Sequence, residues 1–278
     1  MPSHRHTRTI GTVEVTTVSD GVLNATLNNF LGVTPAEAER MSGFPAAGPV
    51  PLAVNAFLLQ FDGKRILVDA GTSSTMGPTL GKLPDNLRAL GVGPESIDVI
   101  LLTHIHPDHS NGLVNDAGQA NFPNAEVIVH AEDLRFWVER EPDATDNEFR
   151  QRNMKAARRA FAPYRNRVRA ISGGEPLPGI SAQPQPGHTP GHTGWLVSSG
   201  DDALLIWGDI VHVTGVQFAR PDAALTFDLD PDAARRSRSR VFDWVATDGI
   251  RVAGAHLDLP GFGYVVRDGS GYRFEAEA

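Results

Sequence analysis

Four side chains able to bind metal ions fall within six positions of one run, Thr103-His104-Ile105-His106-Pro107-Asp108-His109-Ser110-Asn111-Gly112. A lone histidine in a chain of this size is ordinarily a surface or core residue. Four ligand-type residues this close together point to a metal site. Where the chain is extended, side chains alternate, so His104 and His106 face one way and Ile105 the other, and the two imidazoles can share a cation. Beyond Pro107 the backbone turns, which directs Asp108 and His109 away from the first pair toward a second cation. The spacing suits two metals better than one.

The run follows an apolar stretch, residues 97–102, that reads as a buried strand, and its Pro, Asp, Ser, Asn and Gly read as the loop leaving that strand. Other elements follow from the same rules. Residues 9–18 alternate as a strand, and 24–51 read as a long loop with one helical turn at 35–41. Segments 53–61 and 64–68 flank Asp62-Gly63 as a hairpin, which leaves Asp69 at a strand end. Residues 83–90 suit a helix closed by Gly91, and 126–129 a strand. Helices are expected at 131–139 and 147–161; in the second, Arg150, Arg152, Lys155, Arg158 and Arg159 make a basic face, read as solvated and given no function. Short strands are expected at 168–171, 180–183, 194–198 and 203–207. Asp230 and Pro231 suit the N-cap and first position of a helix reaching about Thr247 and burying Val241, Trp244 and Val245. Residues 250–253 form the last strand read, just before His256. Strands and helices thus fall into two rough sets, one ending near Leu134 and one after Ile180; periodicity by itself specifies only α/β or α+β.

By length the 278 residues could make two average domains; no low-complexity segment or long linker divides them, and 41% hydrophobic with 21% charged residues is ordinary for a globular protein. A net charge of −8 argues against a nucleic-acid partner. The absence of cysteine removes disulfides, thiolate nucleophiles and Cys-ligated zinc together. No apolar run approaches a membrane span. Residues 1–15 carry His4, Arg5, His6 and Arg8 without the apolar core of a secretory signal, so a cytoplasmic location is expected.

The run His104-x-His106-x-Asp108-His109 resembles the signature of the metallo-β-lactamase superfamily. The rest of that pattern follows in order: Leu67-Val68-Asp69-Ala70-Gly71, then Pro186-Gly187-His188-Thr189-Pro190-Gly191-His192, Gly208-Asp209 and Ala255-His256. Shorter matches, Gly77-Pro78-Thr79-Leu80-Gly81, Phe122-Pro123-Asn124-Ala125, Val216-Gln217-Phe218 and Gly271-Tyr272-Arg273-Phe274, resemble the branch of methyl parathion hydrolase and related lactone and aryl ester hydrolases. The resemblance implies that residues 1–278 form one domain of α+β fold, the αββα sandwich of two mixed β-sheets flanked by helices. It implies that His104, His106 and His188 hold the first metal, that Asp108, His109 and His256 hold the second, and that Asp209, following a buried strand, bridges both. Zinc is the default, and manganese, iron or cobalt would also accept these ligands. Two such cations lower the pKa of a shared water and supply a hydroxide nucleophile. Asp69 is the implied outer acceptor that orients a ligand histidine, and His192, the second histidine of its motif, a structural neighbour. His4, His6 and His130 match nothing in the pattern and are taken as surface or structural.

Asp108 and His212 are the candidate catalytic residues. His212 stands three positions after Asp209, where lactonases of the superfamily carry a tyrosine; it either fills space or donates to the opening ring oxygen. Trp137, Phe227 and Met76 are the candidate pocket walls. Met76 replaces an aromatic of organophosphate-cleaving relatives. The reading is therefore a dinuclear zinc hydrolase of small-molecule lactones and aryl esters, with phosphotriesters as promiscuous substrates; the alternative is a dedicated organophosphate hydrolase. Relatives are often dimers, so the resemblance also implies a homodimer. A glyoxalase II, a nuclease, a diiron redox protein and a non-catalytic scaffold each lack a feature here: respectively a basic carboxy-terminal helical domain, an RNA-binding insertion, a flavin domain and the loss of ligands.

Overall fold

The computed structural model describes residues 6–277. Its first half forms a seven-stranded sheet from β1 (His6–Ile10), β2 (Val13–Ala25), β4 (Val50–Phe61), β5 (Lys64–Val68), β6 (Val99–Leu101), β7 (Glu126–His130) and β8 (Val168–Ile171), in the order β1-β2-β4-β5-β6-β7-β8. The second half forms another from β9 (Gly174–Leu177), β10 (Ile180–Pro184), β11 (Thr193–Ser199), β12 (Asp202–Ile206), β14 (Arg251–Ala253), β15 (Phe262–Asp268) and β16 (Gly271–Ala276), ordered β16-β15-β14-β12-β11-β10-β9. Two short strands, β3 (Phe30–Leu31) and β13 (Ala224–Leu225), pair with each other. The helices are α1 (Pro35–Ser42), α2 (Leu83–Ala89), α3 (Pro107–Ser110), α4 (Ala131–Asp133), α5 (Glu148–Phe161), α6 (Thr214–Gln217) and α7 (Pro231–Asp248), with a π-helical turn, Leu134–Glu139, following α4.

The period-2 rule explains the layers. In β6, Val99 and Leu101 point between the two sheets, where they meet Trp195, Val197, Leu204 and Ile206. Ile100 points the other way, into a core shared with Leu83 and Leu87 of α2 and Met154, Ala157 and Phe161 of α5. The outer face of the second sheet is closed by α7, whose Val241, Phe242 and Val245 pack on Leu205, Val252 and Val265. The result is the expected α+β sandwich, helix on sheet on sheet on helix. A strand buried on both faces reads as a continuous apolar run, and for that reason the segment ahead of the histidines was conspicuous.

Several elements depart from the sequence reading. Residues 9–18 are not one strand: β1 ends at Ile10, the chain reverses at Gly11, whose φ is +55°, and β2 runs on to Ala25. The stretch 24–51 is more ordered than a loop, holding a 3-10 turn (Leu27–Asn29), β3 and α1; Thr34 and Glu37 form a reciprocal capping box at the start of α1, and Gly43 closes it. The first sheet continues past Leu134 to β8, and the strands β9, β15 and β16 were not read at all. Trp244 is only partly buried, its expected place being taken by Phe242. His4 and Arg5 lie outside the described residues. His130 is structural, accepting the Glu132 N–H at 3.2 Å as the cap of α4.

Strand direction places the site. β5, β6 and β7 run parallel, as do β12 and β14. β10 is antiparallel to β11, which is antiparallel to β12, so β10 shares the direction of β12. The segments leaving β5 and β6 therefore emerge at one edge of the first sheet and those leaving β10, β12 and β14 at one edge of the second, and side-chain contacts bring the two edges together. These segments carry Asp69, the His104 to His109 run, His188, Asp209 and His256. Among the described residues, no helix is long and apolar enough to cross a membrane.

Candidate metal centre

Leaving β6, the chain stays extended through His106, whose φ and ψ are −98° and 160°, and then turns into α3 with Pro107 as its first residue. This delivers His104 and His106 to one side and Asp108 and His109 to another. His104 Nε2 lies 3.1 Å from His106 Nδ1, which lies 2.9 Å from His188 Nε2. On the other side, His109 Nε2 stands 3.4 Å from Asp108 Oδ2 and 3.2 Å from Asp209 Oδ1. His256 Nε2 stands 3.5 Å from Asp108 Oδ2 and 3.2 Å from Asp209 Oδ2. Three groups able to hold a metal ion result among the described residues: His104 with His106 and His188, Asp108 with His109, Asp209 and His256, and a third, His188 with Asp209 and His212, that overlaps the first two. Asp209 faces both: its Oδ2 is also 3.2 Å from His188 Nε2 and 3.6 Å from His104 Nε2.

The outward nitrogens of three of these rings are fixed. His109 Nδ1 meets Asp69 Oδ2 at 2.8 Å, His188 Nδ1 meets Asp228 Oδ1 at 2.8 Å, and His256 Nδ1 meets the Ala53 carbonyl at 2.7 Å. Each contact orients a ring so that Nε2 faces inward. Asp69 has a φ of +63°, a strained value for a non-glycine residue, and also accepts the Thr103 N–H at 2.8 Å. His192 uses both nitrogens elsewhere. Its Nδ1 donates to the Gln185 carbonyl at 3.2 Å and its Nε2 accepts the Asp209 N–H at 3.1 Å, so it supports the backbone of Asp209. A Cβ on Gly208 would lie 2.7 Å from that Nε2, which is why glycine precedes Asp209.

Electrostatics suit a cation. His104 and His106 are buried, and burial holds both imidazoles well below their ordinary pKa, neutral and with lone pairs available. Burial opposes ionisation of Asp108 and Asp209, but His109 and the other rings hold both carboxyls well below the usual range. Burial would lower His188 too, yet Asp209 and Asp228 raise it to about 9. His109 Nε2 and Asp209 Oδ1 are buried without a hydrogen-bond partner. Buried polar atoms seldom stay unpaired, and nitrogen and oxygen donors without sulfur fit divalent transition metals. The residues present fit such ions.

The centre forms the floor of a cavity of about 660 Å³. Its floor shows His106, Asp108, His188, Asp209, His212 and His256; its walls include Leu23, Leu52, Met76, Val114, Phe149 and Phe227. Met76 and Phe227 thus stand where a pocket wall was expected. Trp137 does not: it is fully buried and absent from the lining, packing its ring 5.2 Å from that of His106 on the side away from the cavity. An aromatic four residues after Asp133 of α4 is equally consistent with a wall or a core from spacing alone, and here the core wins. His212 is buried and lies on the floor, its Nε2 3.1 Å from Asp209 Oδ2 and its ring stacked 4.8 Å from that of His256. Burial pushes its pKa down to about 4, against the pull of Asp209, so the ring is neutral near pH 7 and offers a hydrogen bond rather than a positive charge.

Sequence reasoning missed several contributors. Asp228 and Asp133 belong to no motif, and no spacing marked them. The face of α5 could have been found: Phe149, Arg152, Asn153, Ala156 and Arg159 recur at helical spacing and line the cavity. The basic residues given no function therefore include two, Arg152 and Arg159, that stand over the pocket. Arg238 of α7, fully buried, donates to the carbonyls of Ile210, Pro221 and Ala223 and so ties down the segment after Asp209.

Residues 49–253 match the family profile described as Metallo-beta-lactamase superfamily. The crystal structure of hydrolase AbOPH, of the beta lactamase superfamily, is 33% identical with a TM-score of 0.91, covering 99% of this chain and 97% of that one. AidC, a dizinc quorum-quenching lactonase solved with its product N-hexanoyl-L-homoserine, is 25% identical with a TM-score of 0.91, covering 98% of this chain and 97% of its own. The uncharacterized protein YobT of Bacillus subtilis (strain 168) is 27% identical over 179 residues, 63% of this chain and 68% of that protein. With the profile spanning well over half its length, the chain belongs to the metallo-β-lactamase superfamily, as one of its metal-dependent hydrolases.

Proposed function

We propose that the protein is a dinuclear zinc hydrolase of lactones and aryl esters, with slower promiscuous cleavage of phosphotriesters. The observation that carries this reading is the pairing of two ligand groups about one aspartate at the base of a largely apolar cavity. His104, His106 and His188 would hold one ion, Asp108, His109 and His256 the other, with Asp209 between them. Two divalent cations held there would lower the pKa of a shared water to near neutrality and polarise the oxygen of the bond under attack.

The chain's own residues do the rest. Leu23, Leu52, Met76 and Phe227 exclude bulk water from the bound acyl or aryl group and leave its reacting carbonyl over the floor. The neutral ring of His212, held between His256 and Phe227, is the hydrogen-bond donor for the leaving oxygen. Asp108 keeps its negative charge beside the nucleophile. The structural likeness to AidC supports a lactone substrate. The acidic chain argues against a nucleic-acid substrate, and the cytoplasm, a single domain and a homodimer complete the reading.

The runner-up, a dedicated organophosphate hydrolase, needs an aromatic pocket over a leaving group that requires little protonation; Met76 and His212 dilute that character. Assay of the metal-loaded protein on dihydrocoumarin, a phenyl ester and methyl parathion distinguishes the two. A higher kcat/KM for dihydrocoumarin is expected, and preference for methyl parathion would establish the runner-up instead.

A further inference from the structure

The three histidines of the first ligand group come from two different sheets. His104 and His106 follow β6 of the first, and His188 follows β10 of the second. Among the described residues no strand pairing joins these sheets, so something else must hold the two loop tips in register. Behind the tips, the Thr193 N–H donates to the Thr103 carbonyl at 2.8 Å and Trp195 Nε1 to the Leu102 carbonyl at 3.3 Å. At the tips themselves, besides the His106–His188 ring contact at 2.9 Å, the hydrogen bonds converge on one side chain, Asp133.

We propose that Asp133 is a positioning residue that clamps the His104–His106 loop to the His188 loop and thereby builds the first metal site selectively. Its Oδ2 accepts the N–H of Ile105, the residue between the two histidines, at 2.8 Å and the hydroxyl of Thr189 at 2.9 Å. Its Oδ1 accepts the N–H of Gly191 at 2.6 Å. All three donors belong to the two loops, and Asp133 is fully buried. The fit is close: a Cβ on Gly191 would lie 2.7 Å from the Asp133 nitrogen and 3.0 Å from its Oδ1. Burial pushes the Asp133 carboxyl up to about 6, with the three donors opposing the rise. A carboxylate kept in such a place is stabilised only by the donors it gathers. None of the three belongs to Asp108, His109, Asp209 or His256, so the second ligand group does not depend on it directly.

The proposal rests on the binuclear reading, and the test separates the two. Chelator-stripped protein is titrated with zinc by calorimetry, and His188→Ala and His256→Ala identify which binding step belongs to which group. Asp133→Asn turns an amide N–H against the N–H of either Gly191 or Ile105. It should weaken the step lost in His188→Ala by about 10- to 100-fold and leave the step lost in His256→Ala unchanged. Thr189→Val should act in the same direction by about fivefold, the worth of one hydrogen bond. Asp20→Asn is the control for a general folding role: Asp20 is equally buried and accepts from Thr72, Gly81 and Leu83, none of them in the two loops that Asp133 joins. It should lower Tm without weakening the step lost in His188→Ala.

Equal weakening of both steps by Asp133→Asn, no weakening, or the same pattern in Asp20→Asn would overturn the clamp. If Asp133→Asn does not fold, Thr189→Val decides, and an unchanged first step refutes the proposal. Wild-type protein that binds fewer than two zinc ions refutes the binuclear reading, and the clamp with it.

Discussion

The floor and the α5 wall of the cavity are built on opposite terms. On the floor the side chains are buried, His104 being 0% exposed and Asp209 3%, and the outer nitrogens of His109, His188 and His256 are each held by an acceptor. On the wall, Phe149 is 43% exposed, with the exposed Arg152 guanidinium 5.6 Å from its ring centroid. The floor must hold donors in one geometry, because ligation tolerates little displacement. The wall need only offer a surface to part of a substrate that varies. Substitutions on the floor should therefore change whether the reaction occurs, and substitutions on the wall which substrate is preferred.

The largest effect is expected at Asp209, which belongs to one ligand group and faces the other. Asp209→Ala should lower metal content and bring lactone hydrolysis to background, measured by elemental analysis and turnover together; near wild-type turnover would show that the floor is wrongly assigned. Next comes the histidine pair of one motif. His188→Ala should lose metal, whereas His192→Ala, whose ring supports only backbone groups of Gln185 and Asp209, should retain most of it and lose part of its thermal stability. Equal metal loss would erase the distinction between ligand and support.

His212 lies between the two regimes, on the floor yet outside the seven residues proposed as ligands. His212→Leu should reduce kcat/KM for dihydrocoumarin about tenfold, the equivalent of one hydrogen bond in the transition state, and spare methyl parathion. An unchanged ratio of the two would leave the ring only a packing role. The smallest effect belongs to the wall. Phe149→Ala should raise KM about fivefold for substrates with long apolar acyl chains, roughly 1 kcal/mol of lost contact, with kcat and metal content unaltered. A drop in metal content would mean that the wall and the floor are not separable.

The same contrast explains what could be read from the chain. Ligands crowd at strand ends with fixed spacing, so His104, His106, Asp108 and His109 announced themselves, and the apolar run before them placed β6. Asp69, His188, Asp209 and His256 followed from the order of short motifs. Asp133 and Asp228 were silent because a side chain that meets its partners only through the folded chain leaves no local pattern. Trp137 was ambiguous for a related reason: an aromatic packed behind a ligand and one facing a substrate obey the same periodicity. The hairpin of β15 and β16 was missed because its alternation is short and mixed with charge, as in Arg267, Asp268 and Arg273.

The account turns on two cations acting at one floor. Chelator-stripped protein should be titrated with zinc while bound metal and dihydrocoumarin hydrolysis are followed in parallel. Two equivalents bound per chain, with activity absent from the stripped protein and complete only as the second ion binds, is the predicted result. One ion or fewer at saturation, or full activity without metal, would contradict it.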